Sequence, residues 1–468
     1  MAAAIWWLRR DLRLTDNSAL DAALSQGGSV VPVFILDPTL WKGTWFNPRR
    51  AAFLIENLRS VDRDLRARGS RLIVRSGPPE HELSKLLVES EASKIYAERD
   101  HAPFARTRDE SVSRRLPLEL IGSAAMHPPE SILKGDGTPY RVFTPFMRRW
   151  KQLPIPDPRQ IIPAPEKIPT PGGFSTSKLP QSDGFDLADF PPGEGEAQRR
   201  LAAFTDGRHL PVYRYHDLRD RPDLLETSQL SPYLRFGVLS MRQAVVAAQT
   251  AILNAGNEIQ RQGAETWLNQ LIWREFFTGI MYHFPHTRRQ AFRAEYREIP
   301  WNNDLHDFEA WKTGNTGYPL VDAGMRQLAA TGWMHNRVRM VAASFLVKNL
   351  LIDWRWGEAW FMQNLLDGDP IVNNGSWQWV AGTGTDAVPY FRIFNPVTQN
   401  KKFDPQGDYI RSWIPELLQV PDNYLHTPWK MDAANQLACG VKLGKDYPHP
   451  IIDLQFSRQR ALAAYKRD

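Results

Sequence analysis

At 468 residues the chain is long enough for about two or three domains of ~150 residues each. Its 42% hydrophobic and 24% charged residues are those of an ordinary globular protein, and a single cysteine, Cys439, excludes an internal disulfide framework, with no Cys/His pattern for a metal. A net charge of +6 leans toward a polyanionic partner, while the missing signal peptide and missing apolar run of about 18 residues predict a cytoplasmic protein without a membrane span.

Strand and helix signals alternate over residues 1–130. "IWWL" (Ile5–Leu8) and "VVPVFIL" (Val30–Leu36) are short apolar runs. Between them "NSALDAALSQG" reads as a helix, with Asp16 and Asn17 as cap candidates and Gly27 as its stop. "RLIVRSG" (Arg71–Gly77) and "KIYAE" (Lys94–Glu98) repeat the strand signal, separated by amphipathic helices near Arg49–Arg68 and Pro79–Glu91. This alternation predicts right-handed βαβ units and a doubly wound parallel α/β domain. No GxGxxG follows the first strand, so the dinucleotide fingerprint is missing.

From Leu153 to Pro192 prolines gather with Gly, Ser and Asp, and apolar periodicity disappears. The stretch reads as an extended connector. Beyond Glu196 the chain turns helical. "AQRRLAAFTD", "MRQAVVAAQTAILNAG", "AETWLNQLIWREFFTGIMYHF" and "VDAGMRQLAATGWMHNRVRMVAASFLVKNLLIDW" carry 3.6-period apolar stripes, which predict an all-α second domain. No internal repeat is visible.

Within that domain, "TWLNQLIWREFF" puts Trp267, Gln270 and Arg274 on one helical face, with Trp273 toward its edge. By itself this is a core stripe. "GWMHNRVRM" gathers Asn336, Arg337, Arg339 and Met340 within about one turn, and two arginines beside apolar residues need partners if buried. "LLDGDP" offers Asp367 and Asp369, and an Arg339–Asp367 ion pair would be purely structural. "ETSQLSPYL" presents the hydroxyls of Thr227, Ser228 and Ser231 before a helical segment. Taken singly this is an N-cap signature, and equally a place to hold a phosphate. "NNGSWQWVAGTGTDAVPYFRIFNP" (Asn373–Pro396) combines Asn373, Asn374, Gln378 and Thr383 with Trp377 and Trp379. A core wants the aromatics alone, whereas a site for a flat, polar-edged ring wants both. The 17 tryptophans exceed the usual one per hundred or so; most should be core, and a minority could stack on bases or a cofactor ring.

Together these segments resemble, nearly word for word, the photolyase/cryptochrome family, and most closely its class I cyclobutane pyrimidine dimer photolyases. The matching motifs are "TSQLSPYL", "WLNQLIWREFF", "TGYPLVDAGMRQLAATGWMHNRVRM", "ASFLVKNLLIDWR", "LDGDPIVNNGSWQW", "GTGTDAVPYFRIFNP" and "KFDPQGDYIR", with "WWLRRDLRLTDNSAL" and "VVPVFILDP" near the N-terminus. The resemblance covers essentially the whole chain. It implies an α/β antenna domain at residues 1–130, an extended linker at 131–195 and an all-α FAD-binding domain at 196–468.

Carried over position by position, the resemblance implies that Tyr215, Thr227, Ser228, Leu230 and Ser231 hold the phosphates and ribityl end of FAD. Trp267, Arg274, Asn336, Arg339, Asp367 and Asp369 would line the rest of the cavity, and Asn373 would sit against flavin N5. A neutral amide there hydrogen-bonds the reduced ring without the repulsion a carboxylate would add. The implied reaction is light-driven carbon–carbon cleavage: an electron from reduced FAD splits a dimer flipped out of UV-damaged DNA. Gln270, Trp273, Asn336, Met340 and Trp379 match lesion-facing positions, and Arg219, Arg337 and Arg392 match phosphate contacts. Trp377, Trp354 and Trp301 match the chain of tryptophans that carries electrons to photoexcited flavin. The implied protein is a monomer whose partner is UV-damaged DNA.

"TGWMHNR" lacks the paired histidines of the (6-4) branch, since His335 is followed by Asn336. That favours the dimer-splitting branch and leaves His335 a structural role. Gln270 replaces the Glu usual in dimer photolyases. "HAPFARTRDE" (His101–Glu110) lacks the Asn-Glu pair of folate-binding members and is nearer the Pro-Tyr-Gly-Arg of deazaflavin-binding ones, with Phe104 and Ala105 substituted. A second antenna chromophore, of deazaflavin or folate type, is thus left open. The competing expectation is a cryptochrome-like blue-light receptor without efficient repair. Gln270 speaks for it, and an ending at "RQRALAAYKRD" without a long low-complexity tail speaks against it.

Overall fold

The computed structural model describes residues 3–26, 28–182, 184–207 and 210–466; Gly27, the expected helix stop, lies outside them. The chain divides into two compact units, each built from separate stretches. The first comprises Met1–His216, Ser228–Pro285 and Leu366–Asp369, and the second Asp217–Thr227, His286–Leu365 and Pro370–Asp468. No described helix is long and apolar enough to cross a membrane.

The first unit holds a parallel sheet of β1 (Ala4–Leu8), β2 (Val30–Leu36), β3 (Ile73–Ser76), β4 (Lys94–Glu98) and β5 (Leu118–Ile121), in the order β3-β2-β1-β4-β5. Every residue of β1 and β2 is buried. That explains why both read as continuous apolar runs: helices cover both faces of a parallel sheet. Asn17 caps the Ser18–Ser25 helix by accepting from the Leu20 N–H, while Asp16 instead accepts from the Ser240 hydroxyl at 2.6 Å. Strand β5 and the Pro103–Ser113 helix were not expected from the sequence.

The segment 131–195 is not extended throughout. It contains the Phe143–Trp150 helix, whose Trp150 is fully buried and donates its indole N–H to Glu275 at 2.6 Å. Beyond Lys151 no helix longer than a three-residue 3-10 turn occurs among the described residues before Glu194. Each proline there removes a backbone donor, so the segment bonds piecemeal, as where Ile168 N–H reaches Arg68 O.

The second unit contains none of the five strands. Its core gathers Trp311, Leu320, Val338, Phe345, Trp354, Phe361 and Trp377 with many aliphatic side chains. The helical run expected from Val321 to Trp354 is interrupted. Gly332 (φ 74) closes the Pro319–Thr331 helix in the left-handed conformation that glycine adopts without penalty. The Asn336–Ser344 helix then passes into a π-helical turn at Phe345–Asn349, and Leu351 (φ 55) reverses the backbone before the Trp354–Asn364 helix.

Candidate active site

In the first unit the Glu258–His283 helix, capped by the Asn257 side chain, carries Trp267, Gln270, Trp273 and Arg274. Trp267 is a core residue, packed edge-on against Phe204 at 5.1 Å, and Tyr215 meets the same ring edge-on at 5.9 Å. Trp273 lies flat against Phe143, centroids 3.7 Å apart and planes within 6°, yet stays half-buried. Gln270 is half-buried with one long bond, 3.5 Å to Thr266 O, so its amide is not committed elsewhere.

Arg274 donates to Asp369 at 2.8 Å, and Arg10 reaches the same carboxylate oxygen at 2.7 Å. Asp369 therefore accepts from both Arg10 and Arg274 within its own unit, two partners of which the sequence reading named neither as a pair. Arg10 extends from the end of β1, where sheet order reverses between β2 and β4. Such switch points are where open parallel sheets form crevices. Here ion pairs collect: Arg13 with Glu98 at 2.7 Å and Arg10 with Asp100 at 3.5 Å. Burial drives Glu98 up to about 7 despite Arg13. Arg235, on the Ser231–Phe236 helix, is pushed down to about 9 by burial and by Arg10; it donates to Gly368 O, while its Nη1 has no partner.

The hydroxyl-rich loop corrects the capping expectation. The N-cap residue of the Ser231–Phe236 helix is Leu230, with no side-chain cap. Gln229 before it has φ 49, left-handed backbone at a non-glycine residue, the kind of strain that gathers at binding sites. Half-buried Thr227, Ser228 and Ser231 thus keep hydroxyls that no cap consumes.

In the second unit, His335 caps the Asn336–Ser344 helix, its Nδ1 accepting from Arg337 N–H at 3.2 Å. Burial holds this imidazole near 4, consistent with a neutral, structural role. Asn336 is exposed, with its amide 3.6 Å from the sulfur of half-buried Met340. Arg337 pairs with Asp220 at 2.7 Å and covers the Phe403 ring at 4.5 Å. Arg339 Nε donates to Met334 O at 2.7 Å. Arg219 lies 3.8 Å from Asp220, and Arg392 is exposed.

The Pro370–Ala381 helix resolves the neutral stretch into two groups. Asn374 and Gln378 are buried and internally bonded: Asn374 donates to Glu358 Oε1 at 3.3 Å, and Gln378 donates to Thr287 O at 2.8 Å and accepts from Phe292 N–H at 2.9 Å. Those two amides are core, contrary to the expectation that a core would not take them. Asn373 uses only its Nδ2, toward Glu358 O at 3.0 Å, leaving its carbonyl oxygen uncommitted. Trp377 is 2% exposed and packs edge-on against Phe361 at 5.0 Å, tightly enough that a Cβ on Gly357 would come within 2.1 Å of its ring. Trp354 is 3% exposed, and Trp301 and Trp379 are half-buried. The three tryptophans expected to form a relay lie in this unit, Trp377 and Trp354 buried and Trp301 half-buried.

Sequence reasoning missed Arg10, Arg235, Phe143 and Asp220, whose partners lie more than a hundred residues away along the chain. It also passed over Glu275, buried among the Trp150 indole N–H and the Met126 and His127 amides and pushed up to about 7 by burial. In the first unit, the buried Arg274–Asp369 pair and the hydroxyls of Ser228 and Ser231 offer charge and hydrogen-bonding groups of the kind a phosphate-bearing ligand needs; in the second, Asn373 offers an amide oxygen.

Residues 4–166 match the family model described as DNA photolyase, and residues 267–467 match that of the FAD binding domain of DNA photolyase. The deoxyribodipyrimidine photo-lyase of Alkalihalophilus pseudofirmus is 40% identical, over 99% of this chain and 97% of that protein. A bacterial class III photolyase from Agrobacterium tumefaciens superposes with a TM-score of 0.93 at 37% identity, over 99% of this chain and 97% of that one. A Synechocystis cryptochrome gives 0.90 at 30%, over 99% of both. The similarity therefore extends to class III and is not confined to the expected class I.

Proposed function

The chain belongs to the DNA photolyase family, and from that membership we propose that it splits cyclobutane pyrimidine dimers in UV-damaged DNA with light, the reaction of a deoxyribodipyrimidine photo-lyase. FAD is its cofactor and, reduced, supplies the electron that light delivers to the dimer. Tyr215, Thr227, Ser228, Leu230 and Ser231 hold the phosphates and ribityl end, Trp267, Arg274, Asn336, Arg339, Asp367 and Asp369 line the rest of the cavity, and Asn373 turns its amide to the ring. Trp273 and Trp379 wall the fused bases, Gln270, Asn336 and Met340 face them, and Arg219, Arg337 and Arg392 meet phosphates. Trp377, Trp354 and Trp301 return electrons to the cofactor. A second chromophore of deazaflavin or folate type would find a buried donor at Arg235 Nη1. The protein acts as a cytoplasmic monomer.

The observation that carries this reading is Trp273, braced flat on Phe143 but not sealed in the core. A ring held in one orientation is a pre-formed wall, and stacking a base on it is worth ~1–3 kcal/mol. A blue-light receptor is the second reading, favoured by Gln270 in place of the usual acid. Illuminating the FAD-reduced protein with dimer-containing oligonucleotide separates them. Loss of dimers supports repair, whereas normal FAD content with every dimer left intact supports the receptor.

A further inference from the structure

Trp301 and Trp354 are far apart in sequence, and two left-handed residues tie their segments together. Asn303 has φ 51 and Leu351 has φ 55. Asparagine visits this conformation readily, but a bulky, buried leucine does so rarely. Around them the segments exchange hydrogen bonds. Asn302 N–H donates to Leu351 O at 2.7 Å, and Asp353 N–H donates to the Asn303 side-chain oxygen at 2.9 Å. Asp353 is itself the N-cap of the helix that begins with Trp354, accepting from Arg355 N–H at 3.0 Å. The bond from Asn303 therefore grips the cap of the Trp354 helix two residues after Trp301.

The Leu351 conformation does more than turn the chain. Its side chain packs in one cluster with Ile299, Tyr296 and Tyr465, against which Trp301 rests, and Trp301 meets the Tyr465 ring edge-on at 6.0 Å. With φ positive, Leu351 presents its carbonyl to Asn302 and its side chain to the Trp301 cluster at once. A plain turn would need only glycine. Non-glycine residues held in sparsely populated backbone regions persist where surroundings over-determine them, often at functional positions.

We propose that Asn303 and Leu351 are positioning residues for photoreduction, a crossed clamp that fixes Trp301 relative to Trp354 and so sets how fast an electron passes from one to the other. The proposal rests on reading Trp377, Trp354 and Trp301 as the relay. In each hop one electron moves inward, from Trp354 to oxidised Trp377 and from Trp301 to oxidised Trp354, and an added dithiol returns one electron to the oxidised Trp301 so formed, itself ending as its disulfide.

The test uses full-length protein carrying oxidised FAD, under continuous blue light with dithiothreitol, following flavin reduction by absorbance. Asn303→Gly keeps the left-handed backbone accessible but removes the acceptor for Asp353, and Asn303→Asp restores one. Asn303→Gly should slow photoreduction several-fold with unchanged FAD per chain and unchanged repair after dithionite reduction, and Asn303→Asp should recover the rate. Trp301→Phe is the control for the relay. If Trp301→Phe is slow while Asn303→Gly runs at the wild-type rate, the clamp is wrong and the relay stands. Equal slowing in Asn303→Gly and Asn303→Asp, or slowing in step with FAD loss, also overturns the clamp. If Trp301→Phe runs at the wild-type rate, the relay falls and the clamp with it.

Discussion

Arg337 holds Asp220 in a 2.7 Å ion pair while its guanidinium lies over Phe403, so a side chain expected to meet a phosphate already has two partners inside its own unit. Arg392 is exposed in the same unit. Arg337→Ala should lower the melting temperature, because it strands Asp220 with only Arg219 at 3.8 Å; an unpartnered, partly buried carboxylate costs roughly 1–3 kcal/mol. Arg392→Ala should leave stability alone, and both replacements should reduce the salt dependence of DNA binding by about one unit of slope. Thermal denaturation and binding titrations across salt check both. Identical melting behaviour of the two variants would refute the division of roles.

The difference between these arginines marks what a sequence can disclose. Strands β1 and β2 were legible because burial on both faces imposes unbroken apolar runs. Strand β5 was not, because "LELI" is a half-buried edge strand of four residues with a charge in the middle. The Phe143–Trp150 helix hid in a stretch judged by its prolines, and with it the ring behind Trp273. The expected lesion-facing and flavin-facing positions rest on motif resemblance, since no periodicity distinguishes Gln270 in a site from Gln270 in a stripe. Partners such as Asp220 for Arg337, or Arg10 for Asp369, are set by tertiary packing over long separations. The Leu351 turn carries no glycine to announce it.

Trp377 and Trp301 should respond differently to the same substitution. Trp377 is 2% exposed and wedged between Phe361 and Gly357, so Trp377→Phe leaves a cavity as well as removing an electron donor. It should slow photoreduction and cost ~1–3 kcal/mol of stability. Trp301 is half-buried, and Trp301→Phe should slow photoreduction with a much smaller loss of stability. Flavin reduction under blue light and urea denaturation measure the two effects. Wild-type photoreduction in Trp377→Phe would remove it from the relay.

Acid should act partly through His335. Burial lowers its folded value from 6.5 to about 4, so the folded protein holds it neutral where an unfolded chain would protonate it. The stabilisation is complete above the unfolded value, is lost as pH falls from 6.5 toward 4, and amounts to about 3 kcal/mol. Protonation also takes away the Nδ1 acceptor that caps the Asn336–Ser344 helix. His335→Asn keeps a capping oxygen and cannot titrate, so its stability should fall less steeply over that window. Equal slopes for wild type and His335→Asn would assign the acid sensitivity elsewhere.

The last expectation concerns Gln270. Its amide sits half-buried on the Glu258–His283 helix, one turn before Arg274 and three residues before Trp273. With only a 3.5 Å bond to Thr266 O, it is free to turn toward a lesion. An amide can donate to a dimer carbonyl but has no acidic proton to share when charge builds on that carbonyl after electron arrival. A carboxylic acid at this position could share one, and a hydrogen bond to a charged group is worth ~1.5–3 kcal/mol, roughly a ten- to hundredfold bias in the competition between splitting and electron return. Wild-type protein should therefore repair dimers with a low yield per absorbed photon. Gln270→Glu should raise that yield while FAD content stays the same, because the hydrogen bond of its amide runs to Thr266 O and not to Arg274 or Asp369. Counting dimers lost per photon absorbed in both proteins decides it. An unchanged yield would make Gln270 an ordinary amide on a helix face, and wild-type protein that binds FAD but repairs nothing would shift the weight to the receptor.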